Sequence, residues 1–122
     1  MTLYEQIGES AIRLALTSFY VKVFEDPMIG FFFFDHDREH ITAQQIDFVT
    51  GMLGGPRRYR GKPLPVAHYP LAIRPAHFAR RQVLLRETLL EVGVHESLVD
   101  QWLTLESELR PFIFKGALSC QS

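Results

Sequence analysis

Cysteine is almost missing from the chain: Cys120 is the only one among 122 residues. A single thiol cannot close a disulfide within the chain, and it cannot build the multi-cysteine sites that hold structural zinc. Any metal must therefore rest on histidine or carboxylate. An excess of charge is missing too, because 13 Lys and Arg against 14 Asp and Glu leave a formal net charge of -1. No global positive field draws such a chain to nucleic acid or anionic lipid, and neither is expected as a partner. No stretch approaches the roughly 18 consecutive apolar residues of a membrane span, and Met1-Thr2-Leu3-Tyr4-Glu5 lacks the basic start of a secretion signal. A cytoplasmic protein that stays out of the membrane is the expectation. The length also leaves no room for a second domain, so residues 1–122 are read as one domain whose cofactor, if any, must share its only core.

What the chain does have is apolar material, 47% of residues with ten Phe among them. A domain of this size buries roughly two thirds of the surface its unfolded form exposes. The periodicity of that material is helical. Thr2 and Glu5 spell a capping box that opens a short helix ending near Gly8. From about Ser10 to Asp26 and Pro27, residues Ile12, Leu16, Phe19, Tyr20 and Val23 recur at the spacing of one buried helical face. Residues 28–34, rich in Phe, have no partner strand and read as a helical corner packed into the core. A third helix, capped by Asp35 or Asp37, is expected from about Arg38 to Leu53 with Ile41, Gln45, Phe48, Val49 and Met52 on one face. Gly54, Gly55 and Pro56 end it, and the longest loop, from Arg57 to Val66, follows, with a short turn from about Pro65 to Leu71. Pro75 suits the first turn of a fourth helix that presents Phe78, Leu85, Leu89 and Val92 and stops at Gly93. A last helix is expected from about Glu96 to Phe114, carrying Val99, Leu103, Leu109, Phe112 and Ile113, with Pro111 kinking or shortening it. The fold class is all-α.

Several chemistries are excluded by missing motifs. There is no H-E-x-x-H, no paired Glu-x-x-His, no nucleophile elbow and no Gly-rich phosphate loop. Two polar side chains on apolar stripes remain. Tyr20 can be a core aromatic whose hydroxyl reaches a carbonyl or the surface. Gln45 is harder to place, because a buried amide left unpaired costs about 1 to 3 kcal/mol per group. Either Tyr20 and Gln45 satisfy each other, or both face something polar held in the core. His68, in the string Val66-Ala67-His68-Tyr69-Pro70-Leu71-Ala72-Ile73, puts an imidazole beyond the long loop.

Taken together, Leu3-Tyr4-Glu5-Gln6-Ile7-Gly8, Phe19-Tyr20, the Phe corner, Gln45 with Phe48, Leu53-Gly54-Gly55-Pro56 with Tyr59, and Ala67-His68 through Ile73 to His77-Phe78 resemble the truncated haemoglobins. These are shortened globins that pack two helices over two around haem. The resemblance implies haem b as cofactor, with His68 as the proximal iron ligand and His77 as the runner-up. It implies a distal pair, Tyr20 and Gln45, donating hydrogen bonds to bound dioxygen. Phe32 and Phe33 would wedge against the haem, with Ile41, Phe48 and Tyr59 lining it, and Ile41 standing where larger globins often carry a distal histidine. Arg57, Arg58 and Lys62 fall where propionates would emerge, or on a solvated loop. The family's second group has a Trp on the haem wall from the fourth helix; this chain has Arg81 near that place and Trp102 much later, which favours the first group. Glu9 replaces a second glycine often found after the first helix.

Function follows as an expectation. The resemblance implies reversible binding of O2, NO and CO, and it leaves open an enzymatic role as a nitric oxide dioxygenase that depends on an external reductase. The alternative is a haem-based sensor or haem-transfer module acting through a partner protein. A monomer or weak homodimer is expected.

Overall fold

The computed structural model describes residues 1–60 and 73–110. Within them every regular element is helical: α1 (Leu3–Ile7), α2 (Glu9–Glu25), a 3-10 turn (Gly30–Phe33), α3 (Arg38–Met52), α4 (Pro75–Glu91) and α5 (Glu96–Ser107). The all-α expectation holds. Helix α2 packs on α3, α4 packs on α5, and α2 also crosses α4, so two helix pairs meet through α2. The shared core holds Leu16 and Phe19 of α2, Leu85 and Leu89 of α4, and Val99 and Trp102 of α5, all fully buried.

The local signals explain the boundaries. Thr2 caps α1 in a full capping box with Glu5. Gly8 then turns the chain with φ of 90°, a left-handed value that favours glycine, and α2 starts at once with Glu9. Glu9 is not an idle replacement for glycine: it accepts a hydrogen bond from the Tyr4 hydroxyl at 3.1 Å and pairs with Arg58 at 2.5 Å. That contact ties α1, α2 and the start of the long loop together. Asp37, rather than Asp35, caps α3 by accepting from the Glu39 amide.

Helix α5 stops short of Phe114, the shortening that the proline at position 111 leads one to expect. It ends at Ser107, with Glu108 and Leu109 in a turn and Arg110 again helical. In an unbroken helix a proline at position 111 would collide with the Ser107 carbonyl and would offer it no N–H, which favours a break at this point of the sequence. The buried stripe of α5 is Val99, Trp102 and Glu106, so Trp102 replaces Leu103 at the centre of the face. Leu103 and Leu109 are half-buried, while Phe112, Ile113 and Cys120 lie outside the described residues.

The Phe corner also departs from expectation. It is a 3-10 turn, with Ile29 buried and Phe32 and Phe33 half-buried, but Phe31 and Phe34 stand in solvent at 60% and 88% exposure. The turn lies so close to the end of α2 that a Cβ on Gly30 would approach the Phe24 carbonyl oxygen to 2.7 Å. Backbone cannot yield there as a flexible side chain would. Gly30→Ala should therefore destabilise the protein by about 1 to 3 kcal/mol, the usual range for overpacking, as a lower midpoint in urea unfolding; an unchanged midpoint would mean that the corner can slide away from α2.

Candidate functional site

Helix α3 carries two apolar faces. Thr42, Ile46, Val49 and Thr50 are buried, and with Leu53 they form the side that closes against the protein core. Ile41, Gln45, Phe48 and Met52, expected on one face together with Val49, are half-buried and lie along the neighbouring side. The prediction thus merged two faces. A Thr can occupy a buried helical position because its hydroxyl can donate to the carbonyl one turn back, as Thr42 does to Arg38 at 2.8 Å.

The half-buried side is apolar except for Gln45, whose side-chain amide makes no hydrogen bond among the described residues. Tyr20 does not supply one. It is 3% exposed, and its hydroxyl oxygen accepts instead from Arg81 Nη2 at 3.3 Å. The possibility that Tyr20 and Gln45 satisfy each other is therefore not realised. Burial first of all raises the Tyr20 pKa, with the nearby Arg81 cation acting against it. At neutral pH the phenol keeps its proton.

Around Tyr20 the structure gathers aromatic rings. Phe19 meets it edge-on at 4.9 Å between centroids, and Phe33 at 6.2 Å. Phe33 in turn stacks on Phe24 at 5.1 Å. Phe48 and Tyr59 meet edge-on at 5.3 Å, and burial raises the Tyr59 pKa. Phe32 lies 5.0 Å from the His77 ring. Tyr20 is thus brought to Phe33, Phe48 to Tyr59, and Ile41, Gln45 and Phe48 share a side of one helix.

Other predicted groups are placed differently. His77 sits at the start of α4 with Nδ1 accepting the Arg74 amide proton at 3.0 Å. Arg58 is committed to Glu9. His68 and Lys62 lie outside the described residues. A cleft of about 420 Å³ opens beside Phe24, Gly30, Phe31, Phe33, Phe34 and His36, but it contains neither Tyr20 nor Gln45.

The corner that positions Phe33 is pinned by Asp26. Its carboxylate accepts from the amides of Met28 at 3.0 Å and Ile29 at 3.1 Å, and from Arg80 at 2.8 Å. Sequence reading took Asp26 only as a helix stop. A side chain with so many donors was not visible because Arg80 lies 54 positions away.

This donor set fits haem. A porphyrin needs broad apolar surface that the protein alone would leave partly exposed, and the half-buried side of α3 with Phe48, and apart from it the half-buried Phe32 and Phe33 of the corner, supply surface of that kind. A polar ligand on the iron needs donors within such surface, and Gln45 and Tyr20 are of the right kind. Among the described residues no group of three or more His, Cys, Asp or Glu could hold a metal directly.

Comparisons with known proteins agree with this geometry. Residues 2–114 match the family model described as bacterial-like globin. The chain is 39% identical over 101 residues to a group 1 truncated haemoglobin of Tetrahymena pyriformis, covering 82% of this chain and 84% of that one. The solved structure of the truncated haemoglobin from Tetrahymena pyriformis in its Fe(III) form superposes with a TM-score of 0.90 at 35% identity, covering 93% of this chain and 98% of that one. The 2/2 haemoglobin from Synechococcus, in the cyanomet state with covalently attached haem, gives a TM-score of 0.86 at 31% identity, over 93% of this chain and 98% of that one.

The Asp26 network carries a pH signature. Arg80 above all, and the two amides, hold the Asp26 carboxyl below the ordinary carboxylate range. A folded-state pKa below the unfolded one gives stability that is present above the unfolded value and is lost as pH falls through the folded one. Acid unfolding below about pH 4 should accordingly be steeper in the wild type than in Asp26→Asn, and equal slopes would remove Asp26 from the account.

Proposed function

The chain belongs to the truncated haemoglobins of the bacterial-like globin family and is a haem protein that binds ligands, and from that premise we propose that it binds dioxygen through Tyr20 and Gln45 and oxidises nitric oxide to nitrate. Haem b, when bound, supplies an iron with one position left for a diatomic gas. The rest is done by this chain's side chains.

His68 is the proposed proximal ligand. The geometry at His77 supports that choice: its Nδ1 accepts a backbone proton, so the neutral ring carries its own proton on Nε2 and has no free lone pair for a metal. On the other side Tyr20 and Gln45 act as donors. Ile41 has no polar atom and serves only to exclude water. Phe32, Phe33, Phe48 and Tyr59 form the apolar surround, which strengthens each donor by keeping the local dielectric low.

The half-buried side of α3, apolar but for the Gln45 amide that has no partner among the described residues, is the observation that carries this reading. A diatomic ligand that gains negative charge on binding would be stabilised by the Gln45 amide N–H and the Tyr20 phenol O–H, where a wholly apolar site would offer no donor. Nitric oxide plus dioxygen plus one electron gives nitrate, so turnover would draw one electron per cycle from an external reductase. CO would bind without that chemistry. A cytoplasmic location and a monomeric or weakly dimeric state belong to the same proposal.

The exposed Phe31 and Phe34 favour a second reading, a haem-based sensor or haem-transfer module acting through a partner. Ligand-dependent association with another protein, together with poor nitric oxide turnover, would select it.

Stopped-flow spectroscopy of the haem-loaded protein checks the leading reading. Tyr20→Phe should raise the dioxygen dissociation rate about fivefold, the equivalent of one hydrogen bond of about 1 kcal/mol, and an unchanged rate would exclude Tyr20 from the site. His68→Ala should abolish the native axial ligation seen in the ferric and ferrous absorption spectra; retention of those spectra would move the ligand to His77.

A further inference from the structure

The polar contact that Tyr20 makes runs to α4 and, through it, to α5. Arg81 of α4 donates to the Tyr20 hydroxyl oxygen from Nη2 at 3.3 Å and ion-pairs through Nη1 with Glu106 of α5. Its guanidinium carbon lies 5.0 Å from the centre of the Phe19 ring, over its face. The Arg81 side chain is 23% exposed and that of Glu106 only 6%. Three helices therefore meet in a nearly buried chain of polar groups, Glu106 to Arg81 to Tyr20, with an aromatic face beneath the cation.

A charge pair taken out of water loses hydration that its mutual attraction repays only in good geometry, so an apolar pair would serve stability as well. The position of the pair has a different consequence. Arg81 is donor only, so the Tyr20 oxygen must accept from it, which leaves the phenol proton to point elsewhere. The positive end of the Arg81–Glu106 dipole also faces the phenol. A cation on its oxygen makes an O–H a stronger donor.

We propose that Arg81, held by Glu106, is a positioning residue that fixes the Tyr20 hydroxyl as a donor toward the haem-bound ligand and sharpens its hydrogen bond. This deepens the reading of Tyr20 given above and rests on it. Burial works against the Arg81 charge, but Glu106 and Tyr20 outweigh it and raise its pKa, so the cation persists throughout the working pH range. The sequence pattern gave no sign of the arrangement. Arg81 and Glu106 stand 25 positions apart on two helices, and neither helix marks the other as its partner.

The test uses the haem-loaded protein and the infrared C–O stretch of its ferrous carbonyl complex, which reads the field and hydrogen bonds at the ligand. Arg81→Met would strand the Glu106 carboxylate, so Arg81→Met/Glu106→Leu is the main variant, since it removes both charges together. Arg81→Lys keeps the charge without the planar fork. Tyr20→Phe should shift the stretch, and the paired variant should shift it in the same direction and raise the dioxygen dissociation rate several-fold. In a Tyr20→Phe background the paired substitution should then have no further effect, and Arg81→Lys should recover part of the wild-type stretch.

A paired variant with the wild-type stretch, while Tyr20→Phe shifts it, would overturn this proposal and leave Tyr20 in place. An equal shift from the pair with and without the Tyr20 hydroxyl would also overturn it, because Arg81 would then act independently of Tyr20. No shift from Tyr20→Phe itself would overturn both this proposal and the reading beneath it.

Discussion

Helix α3 has to serve the protein core with one side and leave the next side open. Thr42, Ile46 and Val49 close against the rest of the fold, and Ile41, Gln45, Phe48 and Met52 remain half-buried beside them. The described helices share one core, and a porphyrin seated beside it would replace apolar contacts that side chains otherwise make. The other elements are arranged around this requirement. Helix α2 bridges the two helix pairs and presents Tyr20, while the Asp26 network holds the Phe corner against the end of α2.

The polar groups follow the same division. Gln45 stands on the open side with no partner among the described residues, whereas Tyr20 is held from behind by Arg81 and Glu106. One donor is thus left free to adapt and the other is fixed in direction. Fixing a donor before the ligand arrives lowers the ordering cost of the hydrogen bond it makes. A buried ion pair is a poor device for stability alone, and beside Tyr20 it serves the proposed orientation of that hydroxyl.

Much of this was legible in the residues. The α2 stripe was read correctly because each of its buried positions is apolar or aromatic, so hydrophobicity and burial coincide. The caps and stops were legible for a similar reason, since Thr2, Gly8 and Asp37 act on backbone within a few residues. On α3 the pattern groups Ile41, Gln45, Phe48 and Met52 as the structure does but adds Val49 from the buried face, because the half-buried side is more hydrophobic than the Thr-containing side that closes on the core. Periodicity ranks residues by apolarity and cannot tell a protein wall from a cofactor wall. The Asp26–Arg80 and Arg81–Glu106 contacts were invisible because charge pairs between distant segments leave no local pattern. Trp102 was recoverable, since it lies three positions after Val99 on the same face; Glu106 became intelligible only with its partner.

Haem uptake on the open side of α3 is the claim on which the rest depends. Titration of the apoprotein with haemin, followed by Soret absorbance, tests it when wild type is compared with Ile41→Asp. A carboxylate at Ile41 lies at a half-buried position, so the protein retains its core, yet it places a charge against the porphyrin face. The account predicts saturation at one equivalent for wild type and uptake at least tenfold weaker for Ile41→Asp, from roughly 1.4 kcal/mol or more of desolvation. Equal uptake by both proteins would contradict it, because haem would then be seated somewhere other than the wall formed by Ile41, Gln45 and Phe48.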